Sequence, residues 1–371
     1  MSRFRVVICG GGIGAIEGLL RLRRLLGEAV DVTLVAPNDE LRYRPLAVDE
    51  PFARRGVRTY PLKTIARRTN SEWEQKVVEW VDPDAQVVHT NDGGAVSYDG
   101  LLLAVGARLS RPFDHVTVFD DAHADEAYQG LIQDVEGGYT RSVALILPEG
   151  PAWLLPAYEL ALMTAERAVS MGEEGLSVSV VTPEPAPMAT LGEGVSGPVS
   201  ELLDQARVIV YPNARPAVPA ARRVLVTPEG PELEVGRIVA MPRIEGRPIR
   251  NVPSVRGGFV PIDDHCRVSK LGERVFAAGD MTDFPVKHGS LAAQMADVAA
   301  AGIAALAGDH PQPEPLRPVI LGVLHTGAAP LYVSARIVNG LIRSEATSEP
   351  GWPPDEKVVA EELGPFLRSL D

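Results

Sequence analysis

The chain has 371 residues, 45% of them hydrophobic, with 49 acidic against 36 basic side chains and a formal net charge of −13. That length exceeds one ordinary core and suits two or three domains. The acidic balance, with no Lys/Arg stripe to override it, argues against a nucleic-acid partner, and no apolar run approaches the length of a bilayer crossing, so no integral membrane segment is expected.

Residues 4–37, FRVVICGGGIGAIEGLLRLRRLLGEAVDVTLVAP, read as strand, glycine turn, amphipathic helix and second strand, the unit of a parallel doubly wound sheet. Arg3 and Arg5 before an apolar run imitate a signal peptide, but the triple glycine and the helical continuation point to a first strand and turn. Gly10, Gly12 and Ala15 match G-x-G-x-x-G/A, with Ile13 and Gly14 between them. Gly10 permits the tight turn, Gly12 lets the backbone approach a pyrophosphate, and Ala15 allows close helix–strand packing while the helix N-terminus attracts the anion.

The acidic residue that would bond ribose hydroxyls after the second strand is missing, and Ala36 and Pro37 take its place. Asn38, Asp39 and Glu40 just beyond are equally well read as a substitute or as a solvated turn. The segment VTLVAPNDELRYRPLAV, 32–48, continues with Arg44 beside a proline. YDGLLLAVGARLS, 98–110, is an apolar strand running through Ala104 and Val105 into a small-residue turn at Gly106 and Ala107.

Residues 145–162, LILPEGPAWLLPAYELAL, pass from a strand-like to a helix-like run with Pro148, Pro151, Pro156 and a single Gly150 where a second phosphate loop would sit. Prolines there remove N–H donors, while Pro156 suits the first turn of the following helix. Trp153 has two readings, part of a substrate pocket or packing between domains. The strand LSVSVVTPE sets Glu184 beyond its end, a weak ribose-ligand signal.

In 274–306, RVFAAGDMTDFPVKHGSLAAQMADVAAAGIAAL, a strand ends at Gly279 and Asp280, a loop carries Lys287 and His288, and a small-residue helix starts near Ser290, after Gly289. PQPEPLRP, 311–318, reads as a linker and 321–338 as a hairpin. GWPPDEKVVAEELGPFLRSL, 351–370, reads as a helix anchored by Trp352, Pro353 and Pro354, with Lys357 inside it. Asp355, Glu356, Glu361 and Glu362 leave that tail no basic apolar face for a membrane. His325 reads as structural, and no His/carboxylate/Cys cluster has metal spacing.

Of the two cysteines, Cys9 lies in the first strand and reads as a buried hydrophobe, and Cys266 sits in a polar turn, IDDHCRV, expected at the surface. This usage is compatible with a reducing cytoplasm.

Taken in order, the glycine turn, the 98–110 strand and the A-G-D strand with its helix resemble the pyridine nucleotide-disulfide oxidoreductase superfamily of FAD proteins over roughly the first 310 residues. The segments 32–48 and LPAYELAL are similar to the sulfide:quinone, flavocytochrome c sulfide dehydrogenase and type II NADH dehydrogenase branch. The resemblance implies an α/β fold of two Rossmann-like doubly wound domains, the first discontinuous and of three-layer β/β/α type, plus a small C-terminal α+β domain. The expected division is 1–112 and 245–310 for FAD, 113–244 for an inserted NAD(P)-binding-like domain and 311–371 for the last.

It implies FAD contacts from Gly10, Gly12, Ile13, Gly14, Ala15, Ala36, Pro37, Arg44, Ala104, Val105, Gly106, Gly279, Asp280, Lys287, Gly289 and Ser290. Asp280 would bond the ribityl or pyrophosphate region, and the helix near Ser290 would aim its positive end at the flavin. Lys287, His288 and Trp153 are the catalytic candidates, with solvated or packing roles as the alternative. The redox cysteine of the sulfide-oxidising enzymes would stand near Trp153 or Leu154, where there is no thiol, so sulfide oxidation by that route is unsupported.

The resulting expectation is a cytoplasmic FAD-dependent oxidoreductase with a small-molecule or protein electron donor and acceptor, doubtful NAD(P)H binding and a possible homodimer. The alternatives are an NAD(P)H-dependent flavin or quinone reductase with an atypical nicotinamide site, and a non-catalytic flavin-binding electron carrier.

Overall fold

The computed structural model describes residues 3–54, 56–119, 124–308, 310–338, 341–352 and 357–370. Its first sheet is parallel throughout, in the order Val275–Ala277, Gly100–Leu103, Phe4–Cys9, Val30–Val35, Glu72–Glu74. The strand closing one edge thus comes from about 170 residues beyond its neighbour. A three-stranded antiparallel meander, Val78–Asp82, Val87–Thr90 and Ala95–Ser97, covers one face. The helices Ile13–Leu26 and Gly289–Ala307 pack on the other.

The chain then repeats this plan. A second parallel sheet runs Thr117–Val118, Arg237–Ala240, Ser142–Ile146, Ser177–Val181, Ile209–Tyr211, again with its own meander, Arg215–Ala220, Arg223–Thr227 and Glu232–Glu234. The two chain crossings between the sheets lie side by side as an antiparallel ribbon, Ala107–Ser110 with Arg243–Gly246.

Small residues set how closely these layers approach. Gly10 has φ +130°, and a Cβ there would stand 2.1 Å from the Ala104 carbonyl oxygen. The first turn therefore needs glycine to lie against the neighbouring strand. A Cβ on Gly18 would stand 2.5 Å from the Leu102 side chain, so the first helix reaches the sheet only without one. Gly289–Ala307 is long and apolar enough to span a membrane, which qualifies the expectation drawn from the sequence. Its apolarity has a packing cause, because Ala293, Ala296, Ala299 and Ala300 are buried against the first helix and the sheet.

The C-terminal part ties the two sheets together. Strands Val319–Leu324, Leu331–Val338 and Leu341–Thr347 form an antiparallel sheet whose Leu324, Val333 and Ala335 join the core of the second unit. Beyond it Val358, Leu363 and Leu367 join the core of the first. The helix expected across 351–370 is confined to Leu363–Arg368 among the described residues; Pro353 to Glu356 lie outside them. Lys357 precedes that helix instead of lying in it. The physical reason is the Glu17 carboxylate, fully buried on the first helix, which accepts the main-chain N–H groups of Glu362 (2.9 Å) and Leu363 (2.6 Å) and so fixes where the helix begins.

Helix Glu193–Gln205 meets the third strand of the C-terminal sheet closely enough that a Cβ on Gly194 would stand 1.9 Å from the Ser344 carbonyl oxygen. Gly194→Ala is expected to lower unfolding stability by about 1–3 kcal/mol, as overpacking does. Denaturant unfolding measures it, and an unchanged midpoint would show that the sheet is not seated on this helix.

Candidate functional site

A cavity of about 1040 Å³ opens where the C-terminal ends of both parallel sheets meet the inner face of the C-terminal sheet. Three helices begin at its wall: Ile13–Leu26, Leu154–Ser170 and Gly289–Ala307. None has an acidic residue in its first turn, and the residues before them, Gly12, Trp153 and His288, all line the space. The first two have no side-chain cap, whereas in the third the Ser290 N–H is taken by His288 Nδ1 at 3.2 Å; together their positive dipole ends make this a natural anion cradle in an otherwise acidic molecule. A Cβ added to Gly12 would meet no atom within 4 Å, so the backbone there faces open cavity.

Gly10, Gly12, Ile13, Gly14, Pro37, Arg44, Ala104, Val105, Gly106, Gly279, Asp280, Lys287 and Gly289 line the cavity, with Trp153 and His288. Three expected residues do not. Ala15 and Ala36 are fully buried in the hydrophobic core of the first sheet. Ser290 spends its hydroxyl on His288 Nδ1 (2.8 Å) and on the Leu321 N–H (3.3 Å), holding the helix start to the C-terminal sheet.

Burial pushes the Asp280 carboxyl up, against the pull of Lys287, Arg44 and a hydrogen bond from Trp153. Trp153 thus both lines the cavity and ties the second sheet's helix to Asp280. Lys287 is buried, donates to the Thr282 carbonyl at 2.5 Å and stands 4.1 Å over the Phe259 ring. Burial lowers its pKa to about 8 against the opposing pull of Asp280 and Asp283. The His288 pKa falls to about 4 through burial and the nearby Lys357, so the ring is neutral at physiological pH.

Five charged cavity residues escaped the sequence reading: Arg42, Arg108, Glu159, Arg247 and Lys357. Glu159 and Lys357 form a buried ion pair at 2.7 Å, their side chains 0% and 5% exposed. Arg247 sits at the rim, its pKa lowered by desolvation and by Arg44 and Arg108 beside it. The available signals were a lone glutamate in the apolar LPAYELAL helix and a lone lysine in an acidic tail. Glu184 reaches the cavity wall, but its carboxylate accepts from Tyr158 Oη (2.8 Å) and Thr190 Oγ1 (3.2 Å).

No family model matches the chain. The sulfide-quinone reductase of Aquifex aeolicus is 29% identical over 168 residues, which is 43% of this chain but only 38% of that protein's length. An NADH dehydrogenase-like protein of Mycobacterium tuberculosis is 26% identical over 305 residues, 75% of this chain and 72% of its own. The solved sulfide:quinone oxidoreductase of Aquifex aeolicus superposes with a TM-score of 0.83 at 20% identity, covering 93% of this chain and 87% of that one. In sequence and in fold this chain is similar to members of the pyridine nucleotide-disulfide oxidoreductase superfamily. Within it the likeness lies on the branch of sulfide:quinone reductases and type II NADH dehydrogenases.

The residues present fit FAD, the cofactor that this likeness implies. The space beyond Gly12 takes a pyrophosphate at an open helix end, and the arginines at the rim supply countercharge. Cys9 and Cys266 are both fully buried, and neither lines the cavity. The surface position expected for Cys266 is corrected by its neighbours: the turn folds back so that Ala277 N–H donates to its carbonyl oxygen, which puts the thiol into the core of the first sheet. Burial drives the Cys9 thiol pKa far up and that of Cys266 to about 12.

At pH 8 the native protein is therefore expected to leave both thiols unmodified by a disulfide reagent, with two titrating after unfolding. A thiol that reacts in the native state would contradict this burial.

Proposed function

We propose that the protein is a FAD-dependent oxidoreductase whose electron acceptor is a quinone-type carbonyl compound seated against Lys357 and Glu159. Gly12 and its helix end take the pyrophosphate together with Arg44, Arg108 and Arg247, and Asp280 takes the ribityl or pyrophosphate region. The helix from Gly289 directs its positive end at the pyrimidine edge. When bound, the flavin supplies the electron pair.

The observation that carries the acceptor is the state of the ion pair. Glu159 Oε2 and Lys357 Nζ lie buried without a well-aligned hydrogen bond among the described residues, although Nζ stands 2.7 Å from Oε1. A buried charge pair with unspent donors and acceptors is costly. A carbonyl oxygen accepting from Lys357, which becomes a hydroxyl on reduction, uses those atoms. The apolar side chains Leu155, Ile320, Val333 and Val358 line the same cavity and suit a ring system.

Sulfide as donor lacks its thiols, so flavin reduction by sulfide is expected to be negligible. An NAD(P)H-dependent reductase is the second reading, favoured by the cavity's extension past Gly150 to Thr190. It is weakened by Pro148 and Pro151 and by the engaged Glu184 carboxylate. Two buried, unpaired thiols fit a reducing compartment such as the cytoplasm.

Asp280→Ala should weaken FAD retention by about 1.5–3 kcal/mol, the range for a charge-assisted hydrogen bond. Arg247→Ala should weaken it several-fold, with less salt dependence than the parent. Equilibrium dialysis of the flavin reads both, and unchanged retention in both removes the proposed cofactor contacts. Lys357→Met should slow reoxidation of the reduced flavin by a short-chain benzoquinone about tenfold or more without loss of FAD. An unchanged rate would remove Lys357 from the acceptor site.

A further inference from the structure

Reduction of a quinone to a quinol consumes two protons with its two electrons. A proton taken from the Lys357–Glu159 pair has to be replaced across a wall in which both side chains are almost completely buried. The loop after strand Val319–Leu324 approaches Glu159 from outside. The main-chain N–H of His325 donates to Glu159 Oε1 at 2.9 Å, and His325 Nδ1 stands 2.7 Å from Asp49 Oδ1. The His325 side chain is 15% exposed, against 3% for Asp49 and 0% for Glu159. It therefore spans the step from buried carboxylate to solvent.

We propose that His325, oriented by Asp49, is the proton inlet of the acceptor site. The inference rests on reading Lys357 and Glu159 as the acceptor wall. Asp49 holds the Nδ1 proton and leaves Nε2 as the nitrogen that exchanges with water. Because the same residue's N–H rests on Glu159, the ring is a side chain's length from that carboxylate, a gap that one or two water molecules bridge. The balance is simple: the reduced flavin, when bound, would supply the electron pair and one proton, the Lys357–Glu159 pair gives the second proton to the quinol oxygen, and a solvent proton entering at His325 restores the pair. His325 ends each cycle unchanged.

The surroundings keep the loop in place. Arg54 of the N-terminal part bonds the Gly327 carbonyl in this loop and pairs with Glu166 at 3.1 Å, one helix face along from Glu159. The charged groups around the inlet are thus Asp49 and Arg54 from the first unit, Glu159 and Glu166 from the helix, and Lys357 from the tail. A lone structural histidine needs no such link to a buried carboxylate at the cavity.

The test uses the FAD-loaded full chain, reduced anaerobically and mixed with a short-chain benzoquinone in weak buffer containing a pH-indicator dye. His325→Ala is expected to slow both flavin reoxidation and proton uptake about tenfold, with imidazole in the buffer restoring both. His325→Gln, which keeps the volume, should be slow in the same way, and Asp49→Asn should be slow with a larger solvent deuterium isotope effect. An unchanged rate in His325→Ala overturns the inlet. So does a loss that imidazole does not restore, since that marks a packing role only. Lys357→Met separates the two readings. If it too leaves quinone reoxidation unchanged, the acceptor site itself is misplaced. If it slows the reaction while His325→Ala does not, only the inlet fails.

Discussion

The buried ion pair between Glu159 and Lys357 depends on three separate parts of the chain staying packed together. Glu159 belongs to the helix of the second sheet, Lys357 to the C-terminal tail, and the loop that bonds Glu159 is fastened to the N-terminal part through His325–Asp49 and Arg54–Gly327. Removing one member of such a pair leaves an uncompensated buried charge, which costs about 3–5 kcal/mol. The pair therefore resists separation of the C-terminal tail from the helix of the second sheet. Glu17, which fixes the start of the last helix, holds the tail from the other side.

A second constraint is electrostatic. The chain carries a formal charge of −13, yet its cavity is lined by Arg42, Arg44, Arg108, Arg247, Lys287 and Lys357, and three helix N-termini face it, two of them without a side-chain cap. Arginines whose like charges bear on one another at the rim are an expense unless an anion divides them. A dinucleotide pyrophosphate supplies that anion, and the helix ends add to its field without carrying a mobile charge. Burial, with Lys357 nearby, keeps His288 neutral.

Much of the fold was legible because local rules carried it. The first strand, its glycine turn and the following helix have the required periodicity, and the close approach at Gly10 can be made only by glycine. Asp280 was legible for the same reason, standing at a strand end that the sheet order brings beside Gly10–Gly14. What escaped depends on contacts distant in sequence. Glu159 and Lys357 are about 200 residues apart, and neither has a local pattern that announces a pair. Arg247 is one basic residue in a loop until the interstrand ribbon sets it beside Arg44 and Arg108. Cys266 sits among polar neighbours, so local polarity placed it at the surface, whereas its turn folds inward onto strand Val275–Ala277. The tail's helical periodicity was real over six residues only, because Glu17 caps it late.

The most direct test is an anaerobic stopped-flow record of the oxidised flavin band as the reduced protein meets increasing concentrations of a short-chain benzoquinone. The proposed acceptor site at Lys357 and Glu159 predicts one bound FAD per chain, with the band returning at a rate that saturates as the quinone fills the site. A protein with no flavin band, or a band that returns in simple proportion to quinone without saturation as free reduced flavin does, would contradict it.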